Sequence, residues 1–327
     1  MSSILSALLR YGLIVAGVGV PAAAAAQELP AGYPSRPVRM VVSSVPGGAM
    51  DIIARSVAQM LTDRIGQSVV VDNRPGGATV LATEIAAKAA PDGYTLFGGS
   101  DNLYVVGVTK RVAFDVRSAF EPVALMATQP YILLVSPSVP ARTFKELVAI
   151  AMTRPLTFGS SGVGTVGHLG LESALSRTGG QFVHVPYKGG AQSLMALVSG
   201  EIHMYPGLLI SAGGAIKAGR ARPIAALSLT RMPALPDLPT LAEQGFPGFK
   251  VANSYTLYAP AKTPRPIVAT LNRIVGDYMS SPPVAQKFAA EGSTAAERMS
   301  PEELKALFAR EYEEVERQVK QLKVKLY

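Results

Sequence analysis

The 327-residue chain contains no cysteine. Disulfides and thiolate-bound metals are therefore excluded, and stability in an oxidising compartment has to come from the size of the core. Histidine is nearly as scarce: His168, His184 and His203 show no short metal-ligand spacing, so no zinc site is expected. No basic run is interleaved with aromatics, which argues against nucleic acid as a partner. The common phosphate loops are missing too. Gly48 is followed by Ala49 and Met50 where a Walker loop needs Gly-Lys-Ser/Thr, and Gly47-Gly48 does not supply the three spaced glycines of a dinucleotide fingerprint. A serine-hydrolase elbow is broken because Val163 stands two residues after Ser161, where glycine is required. No pair of carboxylates falls at a catalytic spacing. Catalytic residues, metals and cofactors are thus expected to be none.

What the chain does have begins with a leader. Arg10 is the only charged residue before Glu28, and it precedes "YGLIVAGVGVP" and "AAAAAQ". A positive start, a short apolar core and the A-x-A pattern of Ala24 and Ala26 imply a secretory signal over residues 1–26, cleaved after Ala26. The apolar core is too short to span a bilayer. The mature chain of about 300 residues is long enough for two domains of ordinary size, and a periplasmic location is expected. The formal charge of +8 falls by one when Arg10 leaves. Its positive surplus is spread along the chain, a field that attracts small anions.

The stretch "VVSSVPGGAMDIIARS", Val41 to Ser56, reads as a strand, a Pro-Gly-Gly turn and a helix. Ile53, Val57, Met60 and Leu61 recur at helical spacing, while Val38, Met40, Val41 and Val42 read as a buried strand. Gly47 and Gly48 permit close approach, so the first helical amides can point at an anion smaller than a nucleotide. The plainer reading is a tight connection in which Asp51 reaches back to cap its own helix. Strand and helix signals then alternate in two halves, implying an α/β fold built on mainly parallel sheets. The second half carries its own glycine turn, "GSSGVGTVGHL", where Ser160, Ser161 and Thr165 offer hydroxyls, Thr165 is the expected N-cap and His168 follows three residues on. Near the end, Ser300, Pro301 and Glu303 form a capping box ahead of an apolar stripe through Leu304, Leu307, Phe308, Val315, Val319 and Leu322.

Read in order, "VPGGAMDIIAR", "VVVDNRPGGA", "AAPDGYTLF", "FEPVALMA", "GSSGVGTVGHL", "HVPYKGG", "LPTLAEQGFPGF" and "YAPAKTP" follow one another as in the Bug proteins. From about Tyr33 onward the chain resembles the extracytoplasmic solute receptors of tripartite tricarboxylate transporters. The resemblance implies a two-domain periplasmic binding protein of the type II Venus-flytrap kind, with domain 1 over residues 27–133 and 253–327 and domain 2 over 134–252. It implies a monomer that captures a small organic carboxylate and delivers it to membrane transporter subunits. A sensor acting on a membrane signalling protein and an exported hydrolase are the alternatives. Carried over by motif, the ligand-binding positions are Val45, Gly47, Gly48, Ala49 and Asp51, with Ser100 and Asp101 from "GGSDNLY". The facing wall is Ser160, Ser161, Gly164, Thr165, His168, Tyr187 and Lys188. Three positions depart from the family's habit: Val45 where an aromatic is common, Tyr255 where Trp is common, and His203 where Asp is common. His203 is expected at the end of a second-domain strand, on the cleft, favouring an acid without an α-amino group.

Overall fold

The computed structural model describes residues 29–321; the signal segment 1–26, its cleavage point and Leu322 lie outside them. The chain opens with β1 (Val38–Val42), α1 (Ala49–Ile65), β2 (Val69–Asn73), α2 (Val80–Ala87), β3 (Thr95–Ser100), α3 (Asn102–Val108), α4 (Val116–Ala119) and β4 (Phe120–Pro130). It continues through β5 (Ile132–Val135), α5 (Phe144–Thr153), β6 (Leu156–Ser160), α6 (Val166–Leu175), β7 (Phe182–Pro186), α7 (Gly190–Ser199), β8 (Met204–Gly207), α8 (Leu209–Lys217) and β9 (Arg222–Ala226). It ends with β10 (Ala252–Pro260), α9 (Arg265–Met279), α10 (Pro282–Ala290), β11 (Thr294–Ala295) and α11 (Pro301–Gln321).

Two sheets result, in the strand orders β11-β4-β10-β3-β1-β2 and β7-β6-β8-β5-β9. β1 lies between two parallel neighbours, β2 and β3, which explains why Val38, Met40, Val41 and Val42 are all buried rather than alternating. α1 packs Ile53, Val57, Met60 and Leu61 into the core and stops at Gly66, a left-handed residue whose amide returns to the Thr62 carbonyl. The parallel pairs come from the β-α repeats, as the sequence implies. Antiparallel pairs are as prominent, however: β10 with β3 and β4, and β5 with β8 and β9. They arise because the chain leaves one sheet and later returns, so each crossing strand enters its new sheet against the local direction.

Sheet membership changes at Tyr131 and again at Val251, and these crossing points are tied together. The Tyr131 amide donates to the Val251 carbonyl at 3.0 Å, the Val251 amide to Leu227 at 2.8 Å, and the Leu227 amide to Tyr131 at 2.8 Å. The last helix returns to the first lobe. The Ser300–Glu303 box forms in both directions, with Ser300 N to Glu303 Oε2 at 2.7 Å and Glu303 N to Ser300 Oγ at 3.2 Å, and it aims Leu304, Phe308 and Tyr312 into the core beside Tyr104.

Candidate functional site

In the first lobe, β1 ends at Val42 and the chain turns through Ser43 to Gly48 before α1 begins. Gly47 takes φ 79°, a left-handed conformation that glycine adopts without strain. Asp51 is 3% exposed and fastens this turn from behind. Its carboxylate accepts from the Gly47 amide at 2.9 Å, from Arg55 Nε at 3.0 Å and from Asn73 Nδ2 at 2.9 Å. Burial alone raises its pKa, but the Arg55 bond, the Gly47 amide and Asn73 outweigh burial and hold the carboxyl below the usual range. The amides of Ala49 and Met50 open α1, where no intrahelical carbonyl lies one turn back. Gly48 is needed by the turn itself: a Cβ there would lie 3.2 Å from the Val45 carbonyl oxygen and 3.3 Å from Ser44 Cβ.

A second turn of the same kind follows β2. "RPGGA" repeats the Pro-Gly-Gly-Ala of the first, and the non-glycine residues Ala78 and Thr79 sit at φ 49° and 89°. A β-branched residue held there is strained, a state that persists only where the surroundings fix it.

In the second lobe, Ser160 closes β6 and is 1% exposed. Its Oγ accepts from the Gly162 amide at 3.1 Å and lies 2.7 Å from His184 Nε2. His168 Nδ1 accepts from the Gly164 amide at 3.0 Å, and its ring stacks on His184 with centroids 3.8 Å apart. Burial, with the neighbouring histidine, pushes His168 down to about 3; burial pushes His184 down to about 4. Both rings are therefore neutral at physiological pH and serve as props for the loop. Thr165 occupies the N-cap position of α6, but its hydroxyl donates to the Gly162 carbonyl at 2.9 Å. The helix is capped instead from the opposite lobe: the Val166 amide donates to Asn102 Oδ1 at 2.9 Å.

These turns line a cavity of about 70 Å³ between the lobes. Of the residues expected at the site, Gly48, Ala49, Ser100, Ser161, Thr165 and Lys188 line it. Gly47, Asp51, Ser160, Gly164 and His168 stand one layer back and hold the loops. Val45 bridges the cleft beside the cavity, where a Cβ on Gly189 would come within 3.0 Å of its side chain. Asp101 turns away to accept from the Ser254 amide at 2.8 Å, and burial raises its carboxyl to about 7. Tyr187 also turns away, donating to Glu201 Oε1 at 2.6 Å.

His203 requires a correction. It precedes β8 rather than ending it, level with Thr157 at the far end of parallel β6. Its Nδ1 accepts from the Thr157 amide at 3.0 Å, and its Nε2 lies 3.3 Å from Arg154. The cleft lies at the other end of these strands, so His203 does not reach it.

Several lining residues lie outside the expected set: Ser43, Ser44, Gly76, Ala78, Thr79, Asn102, Gly189 and Gly190 on the turns, and Tyr131, Tyr205 and Asn253 on the hinge wall beside Tyr255, which the sequence had marked as a departure from the family's habit. The repeated Pro-Gly-Gly-Ala was a usable signal for Gly76 and Ala78. The cavity collects the starts of α1, α6, α7 and α8, the positive ends of four helices from both lobes. No Asp or Glu lines it, and Lys188 is the charged residue among its described lining.

The family model described as the tripartite tricarboxylate transporter family receptor, TctC, matches residues 53–324. BugT of Bordetella pertussis is 33% identical over 292 residues, covering 86% of this chain and 87% of its own. Among solved structures, an R. palustris protein with adipate superposes with a TM-score of 0.84 at 34% identity, covering 88% of this chain and 97% of its own. MatC from Rhodopseudomonas palustris, with bound malate, superposes with a TM-score of 0.80 at 29% identity, covering 88% and 100%. With its two mixed sheets, its glycine turns facing each other across a cleft and a match over most of its length, the chain belongs to the TctC family of tripartite tricarboxylate transporter receptors.

Proposed function

We propose that the protein is a periplasmic receptor that captures a small dicarboxylate between its lobes and delivers it to the membrane subunits of a tripartite transporter. The observation that carries this reading is the lining itself: four helix starts and Lys188 converge on one cavity without an acidic residue, a field suited to an anion. The donors come in two sets. In the first lobe, Ser44, Ser100 and the amides of Ala49 and Met50 receive one carboxylate; in the second, Ser161, Lys188 and the start of α7 receive the other. A ligand with two oxygen-bearing ends engages both lobes and holds them together. The adipate and malate found in relatives of this fold are ligands of that kind.

Catalysis has little to work with. A serine–histidine pair exists in Ser160 and His184, but Ser160 is 1% exposed and bonded into its own loop, outside the cavity lining. We read the mature protein, beginning after Ala26, as a monomer in the periplasm that binds solute without transforming it.

Thermal unfolding of the mature protein against mono-, di- and tricarboxylates, with neutral sugars and amides as controls, tests the reading. At one hundred times Kd a ligand adds about 2.7 kcal/mol of stability, which a melt resolves readily. Dicarboxylates are expected to give the largest shift. Stabilisation by sugars or amides in preference to every carboxylate would overturn the assignment.

A further inference from the structure

The start of α6 is held from outside its own lobe. Leu169 makes the first backbone bond within the helix, to the Thr165 carbonyl at 2.9 Å, so the amides of Val166, Gly167 and His168 have no carbonyl of the same helix to meet. A threonine at the N-cap ordinarily accepts from one of them, but the Thr165 hydroxyl is turned to the Gly162 carbonyl and makes no cap bond. Partners come from elsewhere. The Val166 amide donates to Asn102 Oδ1 at 2.9 Å, and the Gly167 amide faces the hydroxyl of Tyr131 at the crossing point. Asn102 opens α3 in the first lobe and is firmly mounted, because its neighbour Asp101 is bound to β10 twice. The Asp101 amide donates to the Ser254 carbonyl at 3.2 Å, and its carboxyl accepts from the Ser254 amide at 2.8 Å. On the other side, the first turn of α6 carries His168, which accepts from the Gly164 amide and ties the helix to the turn that presents Ser161 and Thr165 to the cavity. Bonded groups thus run without a break from a strand end of the first lobe to the second lobe's share of the lining.

From this geometry, and resting on the two-lobe capture proposed above, we infer that Asn102 is a closure latch: its side chain completes the start of α6 when the lobes meet and gives that amide up to water when they part. A positioning residue of this kind acts on the equilibrium between open and closed forms, since the cap belongs to one form and is replaced by water in the other. The ligand draws on it without touching it. Asn102 therefore strengthens the binding of every solute by the same factor, whereas a residue that recognises the solute favours one over another.

The experiment removes each end of the bond in turn. Asn102→Ala deletes the acceptor. Val166 is the first helical residue of α6 and follows an extended Thr165 at ψ 156°, so Val166→Pro deletes the donor at a position where proline suits the helix. Both variants and the double variant are titrated calorimetrically with the mono-, di- and tricarboxylates that bind the wild type. Each single variant is expected to weaken all of them by a common factor of about three to ten and to leave their order unchanged. The double variant should lie within about twofold of the weaker single one, because both substitutions break the same bond. Small-angle scattering without ligand should give each variant a larger radius of gyration than the wild type, and a saturating ligand should remove the difference. Unchanged affinity together with an unchanged radius in either folded variant would overturn the inference. A further loss from Asn102→Ala in the Val166→Pro background, or an altered order of ligands, would overturn it as well by placing Asn102 on the solute itself. If no carboxylate binds the wild type, the capture reading falls, while the radii of the ligand-free proteins still decide the latch.

Discussion

The Asp51 carboxylate collects the Gly47 amide, Arg55 and Asn73, so one residue sets the geometry of the first anion-facing turn without entering the cavity. Asp51→Asn removes the charge while keeping the shape, and it leaves Arg55 and the Gly47 amide poorly matched. A loss of about 1–3 kcal/mol of stability is expected, measured by denaturant unfolding at neutral pH. The sign of the pH dependence follows from the lowered pKa in the folded state. A carboxyl held below its unfolded value contributes stability that is fully present above that value, near 3.8, and is lost as pH falls through the folded one. The wild type's advantage over Asp51→Asn should therefore persist down to about pH 4 and shrink below it. A constant difference across that range would mean that the Asp51 charge does not contribute. His168 and His184 behave in a related way: two adjacent neutral rings prop the second turn, and neither supplies charge to the cleft at physiological pH.

At the scale of elements, the cleft is made where helix starts approach one another closely enough that glycine is required on one side. A Cβ on Gly189 would stand 3.0 Å from Val45 Cγ2, and one on Gly162 would stand 3.2 Å from Ala78 Cβ. Gly189 has an extended backbone at φ 173°, open to any residue, so its cost is contact across the cleft rather than strain. Gly189→Val is expected to hold the lobes apart and weaken ligand binding at least tenfold while unfolding within about 0.5 kcal/mol of the wild type. Adding Val45→Ala should restore part of the affinity. Unchanged affinity in the single variant would show that this contact does not gate closure.

The same elements show what the sequence made legible. The Pro-Gly-Gly turn, the α1 face and the Ser300–Glu303 box were readable because each depends on residues a few positions apart. Thr165 as a capping side chain was not, because the group that caps α6 is Asn102, on the other lobe and 64 positions away. His203 misled for a related reason: an apolar run beside glycine marks a strand, but only the parallel pairing with β6 tells which end faces the cleft. Tyr131 and Asn253 were hidden because their role comes from two crossing strands meeting in space.

For the whole molecule, the proposed function rests on two lobes that each line part of the cavity and share one stitched hinge. The hinge bonds among Tyr131, Leu227 and Val251 are backbone to backbone, so the crossing strands are held in register at the point where the lobes meet. On the proposed function, a ligand that bridges the lobes favours a closed arrangement by its differential affinity for it. The most direct test of this account is a crystal structure of the mature protein with its tightest-binding carboxylate. The account predicts a carboxylate within about 3.2 Å of the Ala49 or Met50 amide and of Ser44 Oγ, with the opposite end of the ligand reaching the α7 start and Lys188. A ligand held by one lobe alone, or bound outside the cavity between them, would contradict it.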